Sequence, residues 1–279
     1  MKLITWKVLP VLALGVLLLL SAASPQHGLA QSQDQSKPQS MAQAPAQSQW
    51  LSINVVRVKP ELLTEYQDFV KNEAIPTLQK GGVKERHAYT TAIFGESFEY
   101  VFVTPIENFA RYDSPGPIVK ALGEEGARAY GAKARRFIVS SHTYAVRLLN
   151  DLSYMGKMDG PPKLALVTSV QVAPERSTEF ESFIKNDVLP VMKKAEVAGY
   201  LVHQTVYGGN INEYVTLVLY NNFADLDKGH PFARVLGQEG ARKFTQKMAG
   251  VVAHVERSLA RYVPELSFPA PAAVKAENK

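Results

Sequence analysis

Apolar and polar side chains alternate along several short segments rich in β-branched residues, which predicts β-strands. The first such segment, residues 53–58, ends at Pro60, and a similar segment, residues 164–172, ends at Pro174. Further strands are predicted at residues 86–94, 99–104, 137–148, 200–207, 213–220 and 251–262. Glycines between the second and third strand of each set predict two β-hairpins.

Between these strands, apolar residues recur at helical spacing. The pattern i, i+3, i+4 occurs in residues 66–70 and 180–184, which predicts an amphipathic helix with one buried face in each set. Pro76 and Pro190 fall inside these patterns and remove a backbone donor, so each helix should kink or end there.

A second helix is predicted in each set around the motif Pro-x4-Leu-Gly-x-Glu-Gly-Ala-Arg, which begins at Pro117 and at Pro231. Each of its two glycines lowers helix propensity by about 1 kcal/mol relative to alanine. The motif therefore predicts close packing or a local break within this helix.

The two sets are copies of one another. Residues 55–153 align without a gap with residues 169–267 at an offset of 114, and 32 of the 99 positions are identical. A repeat of roughly 100 residues is long enough for a small domain. The order β-α-β-β-α-β in each copy predicts an α+β protein with two tandem ferredoxin-like domains, whose antiparallel sheets pack face to face into one intrachain α/β barrel.

The composition of the ends and of the connection completes the predicted domain organisation. Lys2 and Lys7 precede an apolar run over residues 8–20, and small residues follow, which is typical of a signal peptide cleaved after Ala23 or Ala30. The run is shorter than the roughly 20 residues that span a bilayer, so we expect no stable membrane insertion after cleavage. The predicted segments are a signal peptide (1–30), a disordered linker (31–49), the first repeat (50–153), a linker (154–162), the second repeat (163–268) and a disordered tail (269–279).

Charge and cysteine content narrow the compartment and the partners. The chain has no cysteine, and its net charge is +5, with acidic and basic residues interspersed. The interspersed charges argue against a nucleic-acid-binding surface. The absence of cysteine and the signal peptide together predict a bacterial periplasmic or secreted protein. No clustering of histidine with acidic residues supports a metal site, so we expect neither a metal nor another cofactor.

The third predicted strand and the segment after it carry motifs that both copies share. They are Glu99-Tyr100-Val101 and Glu213-Tyr214-Val215, followed by Asn108-Phe109-Ala110 and Asn222-Phe223-Ala224. With the strand-Pro-Glu-helix opening and the order of elements, the chain resembles the dimeric α/β-barrel superfamily over residues 51–267. The similar families are the antibiotic-biosynthesis monooxygenase-like and NIPSNAP-like families, here as an intrachain duplication. The superfamily includes oxygenases, isomerases and haem enzymes, so the resemblance implies the fold more than a reaction.

Candidate binding residues come from the strands. His203 is predicted to share a strand face with Thr205 and Tyr207, in a semi-polar stripe that could line a pocket. Its counterpart in the first copy is Tyr89. The full candidate set for ligand binding is Tyr89, His142, His203, Tyr207 and His254. The structural alternative for each histidine is a sheet-surface side chain bonded to a neighbour.

The catalytic candidates are His203, Glu99 and Glu213. A carboxylate held in an apolar barrel could act as a general base with a raised pKa. Alternatively, each glutamate lies at a strand edge and bonds the backbone or a lysine.

These patterns leave several functions open. The first is an exported protein that binds a small apolar or aromatic molecule in a domain cavity. The alternatives are a cofactor-independent monooxygenase or isomerase, a haem-binding protein, and an interaction module without a pocket. Resemblance to chlorite dismutase implies the haem alternative, since such tandem chains hold haem through a histidine in one half only. The oligomeric state and the presence of catalysis are open.

Overall fold

The structure is a computed structural model that describes residues 50–156, here called the first half, and residues 162–268, the second half. The predicted signal peptide (1–30), the first linker (31–49) and the tail (269–279) lie outside the described residues, as does most of the linker predicted at 154–162.

Nine strands are present in the described residues. They are β1 (Trp50–Val58), β2 (His87–Thr91), β3 (Glu99–Ile106), β4 (Ile138–Leu148), β5 (Tyr154–Met155), β6 (Leu164–Val172), β7 (Gly199–Tyr207), β8 (Glu213–Tyr220) and β9 (Val252–Tyr262). Eight of them correspond to the strands predicted from the alternating pattern. The ninth, β5, is a two-residue strand in the segment predicted as a linker, and it pairs with the start of β7.

The helices alternate with these strands. They are α1 (Leu63–Phe69), α2 (Ile75–Lys80), α3 (Pro117–Arg135), α4 (Ser177–Phe183), α5 (Leu189–Lys194), α6 (Ala224–Asp227) and α7 (Pro231–Gln246). The order of the main elements is β-α-β-β-α-β in each half, which confirms the predicted ferredoxin-like arrangement. Within the described residues, no helix has the length and apolar character needed to cross a bilayer.

In the first helix of each half, a π-helical turn directly precedes the proline that was predicted to interrupt the helix. Residues Val70–Ala74 and Ile184–Val188 form such turns, and α2 and α5 continue directly after them with Pro76 and Pro190 in their first turn. A π turn shifts the hydrogen bonding to i→i+5, so the missing proline donor is absorbed without ending the helix.

The glycine motif produces a local break in the second long helix of each half. Gly123 in α3 has φ 70° and ψ 176°, and Gly237 in α7 has φ 71° and ψ 169°. This backbone region is accessible essentially only to glycine. The predicted break is therefore confirmed at one of the two glycines in each motif.

Eight of the strands form one closed antiparallel barrel. Their order is β4-β1-β3-β2-β9-β6-β8-β7, and a pairing between β7 and β4 completes the ring. Both junctions between the halves are strand pairings: Tyr89–Thr91 of β2 pair with Ala260–Tyr262 of β9, and Ala145–Leu148 of β4 pair with His203–Tyr207 of β7. The predicted intrachain barrel is confirmed, and its two sheets are joined edge to edge by hydrogen bonds.

The helices cover the outside of the barrel, and each half has its own apolar core between helices and sheet. In the first half, the ring centroids of Tyr66 on α1 and Tyr100 on β3 lie 5.4 Å apart. In the second half, Phe180 on α4 and Tyr214 on β8 lie 4.8 Å apart. Because the outer sheet face packs against helices, the inner face is left to line the barrel interior.

The kink at Gly123 yields the first testable prediction. Gly123→Ala should lower the free energy of unfolding by about 1 to 3 kcal/mol, since alanine is strained in this backbone region. A Cβ at this position would meet no atom within 4 Å, so the loss would report backbone conformation alone. Chemical denaturation followed by circular dichroism measures it.

Gly131 on the same helix is the matched control. It has ordinary helical geometry, so Gly131→Ala should be neutral or raise the free energy of unfolding by about 0.5 to 1 kcal/mol. Equal effects of the two substitutions would contradict the assignment of the kink.

Candidate functional site

The barrel encloses a cavity of about 330 Å³. This volume is at the small end of the range of roughly 300–1,000 Å³ seen for ligand pockets. Eight-stranded barrels are wide enough either to be filled by side chains or to hold one small ligand. Every strand of the ring contributes residues to the wall. Most of these residues are aliphatic; examples are Ile53, Val103, Val146, Val167, Leu201, Val215, Leu217 and Leu259.

A few polar side chains interrupt this apolar wall. Strand alternation turns Tyr89 on β2, Glu99 on β3, Tyr144 on β4 and His203 on β7 toward the same interior, together with Ser258 on β9. A concave, largely apolar space with a small number of converging polar groups is the usual form of a small-molecule site.

His203 is the most deeply buried of these groups, with 6% of its surface exposed. Burial lowers the pKa of its imidazole to about 4, although a hydrogen bond from the ring to the backbone carbonyl of Val215 acts in the opposite direction. The ring is therefore neutral at pH 7. One ring nitrogen donates to Val215, so the other nitrogen of the neutral ring is an acceptor.

Glu99 is half-buried at the start of β3, where it lines the cavity. Burial raises the pKa of its carboxyl group, the nearby Glu96 raises it further, and Arg57 lowers it. Arg57 also lies 3.3 Å from a carboxylate oxygen of Glu96. The environment of Glu99 is therefore that of a carboxylate made more basic than usual.

Tyr144 connects the two glutamates predicted as catalytic candidates. Burial raises the pKa of its phenol to about 12, and the charges of Glu213 and Glu99 add to the shift. Both carboxylates therefore lie within electrostatic range of one phenol. Glu213 is held by the hydroxyl of Ser169, which donates to it at 2.5 Å, and it is not part of the cavity wall.

Tyr89 lies near the junction of β2 with β9. Its ring centroid is 5.6 Å from that of Tyr262. Burial raises the pKa of the Tyr89 phenol to about 12, with further contributions from Tyr262 and Glu85. Tyr89 and Tyr144 therefore stay protonated at neutral pH and present hydroxyl donors.

The other predicted binding residues are not among those that line the cavity. Tyr207 is on the outside, 59% exposed, with its ring 6.2 Å from that of Trp50. The prediction that Tyr207 shares a strand face with His203 is wrong. The pairing of β4 with β7 shifts register between Ala145 and Val146, and this bulge directs the side chain of Tyr207 to the opposite face of β7. His142 is exposed and stacks on Tyr144. His254 is exposed and bonds Glu256 at 3.0 Å.

Of the seven sequence candidates, the structure thus brings together Tyr89, Glu99 and His203 in one cavity. Sequence reasoning missed Tyr144. Its position two residues before the inward-facing Val146 on the same strand is a signal that could have found it. The counterpart of Tyr144 is Ser258, so this position stands out neither as a histidine nor as a residue that both copies share.

Sequence reasoning also missed a second cavity of about 330 Å³ between the helices and the outer sheet face of the second half. Phenylalanine rings from α4 and α7 dominate its wall, and His230 and Arg257 are among its polar residues. No sequence pattern predicts it, because it depends on how closely α7 approaches the sheet.

Among residues 50–156 and 162–268, no group of three or more histidine or acidic side chains is placed to hold a metal ion.

Proteins of known structure share this fold at low sequence identity. A monooxygenase candidate from Lactobacillus acidophilus is 11% identical with a TM-score of 0.50, and the match covers 76% of this chain and 93% of that one. A monooxygenase candidate from Fusobacterium nucleatum is 14% identical with a TM-score of 0.49, covering 76% and 91%. An anthrone oxidase-like protein is 12% identical with a TM-score of 0.49, covering 77% and 92%.

No family model matches the chain, and no curated protein matches it. At 11% identity, the likeness to the Lactobacillus protein concerns the fold alone. It confirms the resemblance to the ferredoxin-like, dimeric α/β-barrel type.

The buried His203 makes stability depend on pH. Its folded-state pKa of about 4 lies below the ordinary 6.5, so below pH 6.5 the unfolded chain takes up a proton that the folded chain does not. The contribution is fully present above pH 6.5 and is lost as the pH falls toward 4, in total about 3 kcal/mol. Urea denaturation at pH 7, 5.5 and 4.5 measures it.

His203→Gln should flatten this part of the pH dependence, whereas His254→Gln, at an exposed histidine, should leave it unchanged. If the His203→Gln protein lost stability between pH 7 and 4.5 as steeply as the wild type, His203 would not be a buried neutral imidazole.

Proposed function

We propose that this protein binds a small, uncharged and largely apolar molecule, such as a one- or two-ring aromatic compound, inside the barrel. The observation that carries the proposal is the aliphatic cavity with Tyr89, Tyr144 and His203 turned into it. The aliphatic wall favours burial of apolar surface, at about 25 cal/mol per Å² removed from water.

The polar groups set the expected polarity of the ligand. Tyr89 and Tyr144 are protonated donors, and His203 is a neutral acceptor. A ligand with one hydroxyl or carbonyl group could satisfy one of them without carrying a charge. Because no lysine or arginine lines the described cavity and Glu99 does, an anionic ligand is disfavoured.

The interaction module without a pocket receives less support. That hypothesis expects a barrel interior filled by side chains, and the aliphatic wall leaves a cavity instead.

Haem binding is an alternative function, and the residues that line the two cavities argue against it. His203 is the histidine that lines the barrel cavity, but the part of the wall that the structure describes has no cation for the two propionates. In the second cavity, Nδ1 of His230 accepts a bond from the backbone N–H of Phe232 at 3.3 Å, so its lone pair is already used. The neutral ring then carries its proton on the other nitrogen. These residues do not fit haem, and a smaller ligand suits the barrel better.

A proton-transfer enzyme is a second candidate function. The specific observation is that Glu99, with its raised pKa, and the neutral ring of His203 line the same largely apolar cavity. Glu99 could remove a proton from a carbon acid next to a carbonyl, as a cofactor-independent monooxygenase or isomerase requires, and the neutral ring of His203 could hydrogen-bond the substrate. Export through residues 1–30 remains a prediction of the sequence.

A cavity-filling substitution tests ligand binding. Ala260 lines the cavity from β9, so Ala260→Leu should weaken binding of indole at least tenfold, measured by isothermal titration calorimetry. The added side chain occupies the space that the ligand needs, and cavity-filling substitutions commonly maintain or raise stability.

Ala253, exposed on the same strand, provides the matched control. Ala253→Leu should bind indole like the wild type. Wild-type protein that binds neither indole nor 1-naphthol would contradict the proposed function, as would equal binding by both variants.

Deuterium exchange tests the enzyme alternative. Wild-type protein should accelerate exchange at the activated carbon of 2-tetralone, and Glu99→Gln should slow the catalysed rate by about 10²- to 10⁴-fold while indole still binds. Proton NMR in deuterium oxide follows the exchange.

Glu213→Gln is the control, because Glu213 lies outside the cavity wall. It should retain most of the rate. No acceleration by the wild-type protein over buffer, together with normal indole binding, would reject proton abstraction and leave the binding function intact.

A further inference from the structure

Arg86 is a cation without an anionic partner in the first half. It lies at the start of β2, and its backbone exchanges two hydrogen bonds of 2.8 Å with Phe268. Its guanidinium carbon is 4.0 Å from the centroid of the Phe102 ring. In the part of the chain that the structure describes, no carboxylate lies within ion-pair distance of Arg86, and its enclosed Nε–H donates to no acceptor.

Two phenols share this environment. Tyr66 on α1 is buried and Tyr130 on α3 is half-buried, and both lie within electrostatic range of Arg86. Burial raises the pKa of each phenol, and the charge of Arg86 opposes that shift. Neither hydroxyl makes a side-chain hydrogen bond to another residue of 50–156 or 162–268. Ring contacts place these groups in one aromatic cluster, since Tyr66 lies 5.4 Å from Tyr100 and Tyr100 lies 6.3 Å from the Phe102 ring that Arg86 covers.

The neighbouring acid does not supply an acceptor for these groups. Glu73 lies near enough to Tyr130 to raise the pKa of its phenol, but its carboxylate is bonded to Lys133. A partly buried charge without a counter-ion is unfavourable, and the Phe102 ring offsets only part of that cost. A monoanion at this point would complete the arrangement.

The second half shows that the fold does not require these groups. At the offset of 114, the counterparts of Arg86, Tyr66 and Tyr130 are Tyr200, Phe180 and Phe244. These three line the apolar second cavity, between the helices and the outer sheet face. The same place in the fold therefore holds a cation with two phenols in one half and a cavity lined mainly by aromatic and aliphatic side chains in the other.

We propose that Arg86, Tyr66 and Tyr130 form a binding site for a small carboxylate monoanion between the helices and the sheet of the first half. The planar guanidinium can bind both carboxylate oxygens, and a phenol can donate to each of them. The aromatic rings of Phe102 and Phe69 beside it favour an organic carboxylate over a strongly hydrated inorganic ion.

The carboxylate has two sources. It can come from solution, or it can be the side chain of Glu277, because the chain continues from Phe268 directly beside Arg86. Glu277 is the ninth residue after Phe268, and an extended chain of nine residues reaches about 30 Å.

Benzoate and the uncharged benzamide, compared at equal ionic strength, test the site on the full chain. Benzoate should shift the Arg86 Nε resonance in a proton–nitrogen NMR spectrum and raise the Tm, and benzamide should do neither. Arg86→Met, which lacks that resonance, should lose the increase in Tm. If Arg86→Met does not fold, Tyr66→Phe combined with Tyr130→Phe should weaken benzoate binding at least tenfold. Tyr200→Phe, at the counterpart position, should bind benzoate like the wild type.

The variant Glu277→Gln separates the two sources. Benzoate binding by the wild type indicates a free carboxylate, whereas binding only by Glu277→Gln indicates that the tail carboxylate occupies the site. No response of the Arg86 resonance to benzoate in either protein would overturn the proposal, as would equal binding by the wild type and the double phenylalanine variant.

Discussion

The pairing of the two halves along both sheet edges is the constraint on which the rest of the structure depends. A four-stranded sheet on its own would expose the unpaired edges of its outer strands, which is unfavourable and prone to aggregation. Here β2 pairs with β9 and β4 pairs with β7, so the described strands that form the ring leave no open edge. Closure fixes the strand register, and the register decides which side chains face inward.

The interior polarity follows from that register and from the differences between the halves. His203 faces the cavity where the first half has Tyr89, and Tyr144 faces it where the second half has Ser258. Each pair therefore offers different chemistry at equivalent places in the barrel. The layer between helices and sheet shows the same divergence, with the cation Arg86 in one half and an apolar cavity in the other.

Much of the fold was predictable because its signals are local. Strand alternation, helical spacing and the prolines identified the elements, and the gapless repeat identified their order. The site was less predictable because it depends on contacts distant in sequence. The strand face predicted for Tyr207 was wrong because a bulge in the pairing with β4 directs its side chain to the opposite face. Neither strand carries a sequence signal for that bulge. The lowered pKa of His203 likewise results from burial that only the closed barrel creates.

Crystals of the protein placed under xenon pressure would test the central claim, an accessible apolar cavity inside the closed barrel, most directly. Xenon occupies apolar cavities that exclude water. The account predicts xenon density within the ring, in contact with Leu217 and Val103 and near His203. A barrel interior filled by its own side chains, with no xenon bound there, would contradict the account and leave the barrel as a structural core.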